Sequence, residues 1–170
     1  MPRRKQATKS NQGQAQAAPV IDWQELEAFR ATLPAYRQHE TFRFLVVQWD
    51  IVKALYLLAK YKRPVDCLRV AEAARAYGLD IPIRTPGETR GEGSLDDDNA
   101  GCLVDRDFAM SEQIDRERPA ILALVQLPGK AKPTPILIDG LHRLYRAAQD
   151  QREVIPCYAL SPEEERLCRL

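Results

Sequence analysis

A chain of 170 residues that is 45% apolar and 29% charged suits one compact domain with an appended element and is too short for two large ones. No run approaches the roughly 18 apolar residues of a membrane span, and the first residues lack the apolar core of a secretion signal, so a cytoplasmic protein with no membrane partner is expected. The 25 Lys and Arg balance 24 Asp and Glu, but four of the cations precede the first acid, Asp22, and the acidic remainder excludes the broad basic face of a dedicated DNA-binding domain.

Residues 1–19 combine Arg3, Arg4, Lys5 and Lys9 with Gln and Ala and hold no aromatic side chain. Such a segment does not repay the entropy of ordering, which predicts a disordered basic tail. Its cations suit DNA phosphates or an acidic partner, and equally a merely solubilising role.

Order is expected from Asp22, which with Glu25 forms an Asp variant of the capping box while Ile21 staples onto Leu26. Trp23, Leu26, Phe29 and Leu33 keep helical spacing until Pro34. Residues 41–61 are the most apolar stretch, with Ile51, Val52, Leu55 and Leu58 on a buried helix, whereas Phe42, Phe44 and Val46 alternate like a strand. Lys60, Lys62 and Arg63 suit a helix C-terminus, and Pro64 blocks continuation. A third helix over 66–77 closes at Gly78, so residues 20–80 read as a helical region.

Residues 81–101, with their prolines and glycines, read as a loop or linker. The acids Asp96, Asp97 and Asp98 are best taken as a solvated run. Beyond it, strands are expected at 102–105, 120–126, 135–138 and 154–160, with a helix over 140–150. Ser161-Pro162-Glu163-Glu164 opens a final helix with a capping box and Pro at its first position. Cys67, Cys102, Cys157 and Cys168 show no CxxC pair, and His39 and His142 are the chain's two histidines. Reduced core thiols are expected, and neither a zinc site nor a disulfide framework. His39 reads as a surface residue.

The stretch ILIDGLHRLYRAAQDQREVIPCY, residues 136–158, runs a buried strand through Asp139-Gly140 directly into a helix. The first amides of a helix lack carbonyl partners and its dipole favours negative charge, so this turn suits a phosphate. Gly140 permits close backbone approach, and Gly140→Val is expected to crowd the phosphate out. His142 and Arg143 stand four and three residues before Arg146, which places all three on one side of the helix. Cations gathered at the N-terminal end oppose the helix's own dipole, a conflict that an anion relieves. A plainer reading makes Asp139 the N-cap and Arg143 its surface partner four residues on.

These residues resemble the ParB/sulfiredoxin superfamily, whose core carries a strand, a Gly-x-His-Arg or Gly-Glu-Arg-Arg turn, a helix and a strand opening with Ile-Pro. The resemblance spans residues 118–160. It includes Arg118-Pro119, Gly140-Leu141-His142-Arg143, Ala147-Ala148 and Gln151-Arg152-Glu153-Val154-Ile155-Pro156. It implies an α+β fold in which a small mixed sheet with flanking helices occupies residues 102–170, preceded by the helical region. It also implies a turn that binds nucleotide phosphates, ATP in sulfiredoxins and CTP in chromosome-partitioning ParB. Carried over, the phosphate-binding set is Gly140, Leu141, His142, Arg143 and Arg146.

Leu141 stands where sulfiredoxins have their catalytic cysteine, so sulfinic acid reduction is not expected. Only about ten residues follow the last strand, which leaves no helix-turn-helix domain of a centromere-binding clamp. The chain looks most like the ParB-like nucleases and small plasmid proteins of fertility inhibition. That resemblance implies a nucleotide-binding protein that hydrolyses phosphate esters, in ATP, DNA or both, during plasmid transfer or maintenance. In this reading Arg143 and the turn amides stabilise charge, His142 protonates the leaving oxygen, and Asp139 holds Mg2+ or orients water. The competing reading is a non-catalytic module that nucleotide switches, or a scaffold, binding a protein of the DNA-transfer machinery through residues 20–100.

Overall fold

The computed structural model describes residues 18–79 and 104–170, and the expected tail and the 81–101 loop lie almost wholly outside them. Asp22 starts helix α1 (Trp23–Thr32) by accepting the amides of Gln24 and Glu25. Glu25 does not return the bond. Its carboxylate reaches instead to Lys60 and to the Tyr56 hydroxyl, tying α1 to the next helix. After a 3-10 turn at Ala35–Arg37, strands β1 (Thr41–Phe44) and β2 (Val47–Asp50) form an antiparallel hairpin whose tip holds Leu45 at φ 53°. Asp50 caps helix α2 (Ile51–Lys60).

The expectation of a helical region over 20–80 and a helix over 66–77 is corrected here. Residues Asp66–Arg69 form strand β3, and the helix, α3 (Val70–Ala76), begins only after it. A strand edge was available: β3 pairs antiparallel with β6 (Val154–Leu160). Tertiary pairing of this kind overrides local propensity. The boundary expected at residue 102 falls with it, because β3 completes the main sheet from within the N-terminal half.

Asp105, expected at the end of a strand, instead caps a short helix, α4 (Arg106–Met110), and Cys102 lies outside the described residues. Strands β4 (Ala120–Val125) and β5 (Thr134–Asp139) are antiparallel, helix α5 (Leu141–Gln149) follows, and β6 returns parallel to β4. The sheet order is β3-β6-β4-β5. Helix α6 (Pro162–Cys168) opens on the expected capping box of Ser161 and Glu164. The chain is thus mixed α+β.

Alternation along the strands feeds two cores, one on each face of the sheet. Ile136 and Ile138 of β5 join Ile121 and Leu160 beneath α1, α2 and α6, with Trp49 fully buried among them. Leu137 points the other way, to Leu144 and Tyr145 of α5 and to Val70 of α3. The register of β4 against β5 slips between Ile121 and Leu122, so that Ile121 faces Asp139 while Leu122 faces Leu137. The extra residue sits immediately before the turn into α5, a place where such irregularities re-aim side chains.

Candidate anion site at the start of helix α5

Gly140 is the N-cap of α5, at φ 109° and ψ 15°. A Cβ there would lie 2.8 Å from Ala120 Cβ and 2.9 Å from Arg143 Nη2. Close approach is therefore needed first by β4, in place of the ligand approach expected for this glycine. Helices α1, α2, α4 and α6 begin with a capping Asp or Ser, whereas α5 has no side-chain cap and no acid in its first turn. The macrodipole at this end is unneutralised.

Asp139 does not cap. Its carboxylate is buried, and three guanidinium groups converge on Oδ2: Arg37 at 3.1 Å, Arg143 at 3.3 Å and Arg118 at 4.0 Å. Burial pushes the Asp139 carboxyl up, but Arg143, Arg37 and Arg118 outweigh it and hold it below the usual carboxylate range. Burial likewise disfavours charge on Arg37, yet Asp139 and Glu40 together raise its pKa. Arg118 is treated differently. Burial and the neighbouring Arg37 guanidinium lower its pKa, and Asp139, out of hydrogen-bond reach, does not make this up.

Arg143 is only 10% exposed, donates from Nη2 to the Pro119 carbonyl, and keeps its Nε buried without a partner. A buried N–H left unpaired is costly. The pairing of Asp139 with Arg143 anticipated by the plainer reading exists, but deep in the structure rather than on the surface.

These groups border a cavity of about 240 Å3. Its lining includes Gly140, His142 and Arg143 together with Tyr36, Arg37, Arg118 and Phe108. The acids of the rim are engaged: Glu40 accepts from Arg37 Nε at 2.7 Å, and Asp115 accepts the amides of Glu117 and Arg118. His142 meets Phe108 edge-on, and its Nε2 accepts the Asp105 amide at 3.3 Å. A nitrogen that accepts carries no proton, so the ring's proton belongs on Nδ1.

Two residues of the sequence-derived set stand elsewhere. Leu141 packs into the core beneath α5. Arg146 turns away to Asp150, at 3.0 Å, and to the Met110 carbonyl, fastening α5 to α4. The helix brings Arg143 and Arg146 near in spacing, but their side chains serve different neighbours. Conversely Arg37, Glu40, Tyr36 and Phe108 enter the site with no local sequence signal. Arg37 is 102 positions from Asp139, and Arg118 was marked only by the family resemblance.

Among the described residues, no group of three or more His, Cys, Asp or Glu is placed to hold a metal ion, and no helix is long and apolar enough to cross a membrane. Searches with family models, against curated proteins and against solved structures found no match for the chain.

Proposed function

We propose that this cavity binds the phosphate of a nucleotide, ATP or CTP, in a ParB-like protein of plasmid or mobile-element DNA transfer or maintenance. The observation that carries the reading is the pair Arg118 and Arg143. One guanidinium has no hydrogen-bonded carboxylate and the other has an unpartnered Nε, and both border the uncapped start of α5. A phosphate oxygen there meets fixed amide donors, the helix dipole and charge-assisted bonds together. Gly140 shapes the turn, and His142 offers its Nδ1 proton as a donor.

The Asp139 carboxylate is taken up by guanidinium groups, so the roles of Mg2+ ligand and water-orienting base drop out of the proposal. Asp139 becomes the residue that positions Arg37 and Arg143. Hydrolysis of a phosphate ester, in ATP or DNA, remains a second reading because His142 and Arg143 line the same cavity. In it the arginines stabilise developing charge and His142 assists the leaving oxygen. A DNA contact by the basic tail, and a docking role toward a protein of the conjugation machinery, complete the proposal.

Calorimetric titration of ATP and CTP, each with and without Mg2+, tests the reading. Binding that Arg143→Ala weakens at least tenfold, with an unchanged circular dichroism spectrum, is the expected result. No binding of either nucleotide overturns it. Phosphate release in the same samples, lost in His142→Ala while binding survives, would favour the hydrolytic form.

A further inference from the structure

We infer that Tyr36 is the platform on which the base of a mononucleotide stacks, with the phosphate end in the cavity beside it. This rests on the phosphate reading above and assigns the rest of the ligand. The cavity, at about 240 Å3, falls below the roughly 300 Å3 at which pockets begin to enclose a drug-sized ligand. It has room for phosphate, while the sugar and base must lie across its rim.

Tyr36 is on that rim and is 80% exposed, the highest fraction of any aromatic residue among the described residues. Among the described residues, no hydrogen bond or ring contact occupies it. Its backbone is nevertheless fixed. Pro34 precedes it, the Arg37 amide donates to the Pro34 carbonyl at 2.8 Å, and the Arg37 side chain is pinned between Asp139 and Glu40. Consecutive residues of one 3-10 turn thus present an open ring and a phosphate-side guanidinium. A flat exposed ring on an anchored turn stacks a base with little ordering cost.

A mononucleotide fits better than a single strand of nucleic acid. Strand binders combine a basic groove with a succession of aromatic platforms. Here one well-exposed ring borders a half-open cavity, and the chain beyond residue 19 carries more acids than cations. Stacking on a lone ring reads the π face rather than the base edge, so the larger purine face should be favoured.

The test compares ATP, CTP, inorganic tripolyphosphate and a single-stranded oligonucleotide on the full chain, its Tyr36→Ala and its Tyr36→Phe variants, by calorimetry. ATP should bind about 5- to 150-fold more tightly than tripolyphosphate, the range that base stacking gives, and more tightly than CTP. Tyr36→Ala should remove that advantage and leave tripolyphosphate unchanged, and Tyr36→Phe should keep it. Equal affinity for ATP and tripolyphosphate, or an ATP advantage that survives Tyr36→Ala, overturns the platform and spares the phosphate site. Oligonucleotide binding tighter than ATP and lost in Tyr36→Ala overturns the mononucleotide assignment. Binding of none of them overturns the phosphate reading and the platform together.

Discussion

Replacing Gly140 by Ala isolates the geometry of the turn that builds the site. The residue sits at φ 109°, where an L side chain is strained, and the new Cβ would come 2.8 Å from Ala120 Cβ and 3.1 Å from Ala120 Cα. Left-handed strain costs about 1–2 kcal/mol and overpacking against a strand adds about 1–3 kcal/mol. Together Gly140→Ala should lose about 2–5 kcal/mol, or a fall of about 4–20 °C in Tm for a chain of this size. Urea unfolding followed by circular dichroism measures it, with Ala120→Gly and the double variant completing a cycle. Removing the Ala120 methyl relieves the closest contact but not the strained φ, so the double variant should recover part of the loss and not all. A cost below about 0.5 kcal/mol, the range of ordinary surface changes, would refute the turn conformation. The cost falls on the fold before it reaches a ligand, because the Cβ points at β4; Gly140→Val therefore reports on stability rather than on phosphate crowding.

Asp139→Asn should lose about 3–5 kcal/mol, since it leaves Arg37 and Arg143 without their buried counter-charge. Added phosphate should restore a measurable part of the lost Tm, and restoration no greater than in the parent protein would contradict an anion-accepting arginine cluster. Acid should act at the Asp139 carboxylate and at a second ion pair, that of Glu164 with Arg63. Asp139 and Glu164 both titrate below their usual range, held there against burial by their guanidinium partners. Their stabilising effect is full above the unfolded-state values near pH 4 and is lost as pH falls through the lower folded-state values. Urea midpoints measured from pH 6 down to pH 2 should decline over that window, and the decline should shrink in Asp139→Asn.

Much of the C-terminal half was legible in the sequence because its signals are local. The strand–turn–helix through Gly140, the strand over Val154–Leu160 and the Ser161 capping box stand within a residue or two of expectation. Residues Asp66–Arg69 read as helix because the alanines after them favour one. Their partner, the edge of β6, lies about ninety positions away. The site divides in the same manner. Gly140, His142 and Arg143 were visible as a motif, but most of the cavity lining, Tyr36, Arg37, Glu40 and Phe108 among it, is delivered only by folding. Arg146 shows the opposite error: helical spacing put it beside Arg143, and Asp150 four residues on claimed it.

Arg118 tests the central claim most directly. Its charge is disfavoured by burial and by Arg37, and it makes no side-chain hydrogen bond to Asp139, so under the proposed function it burdens the empty fold and serves the bound anion. Thermal melts of the parent and of Arg118→Gln, with and without ATP, separate the two roles. A Tm in Arg118→Gln equal to or above the parent's without ligand, with a smaller ATP-induced rise than the parent shows, is the predicted result. A destabilised Arg118→Gln that retains the full ATP-induced rise, or a parent that ATP does not stabilise, would contradict the anion site.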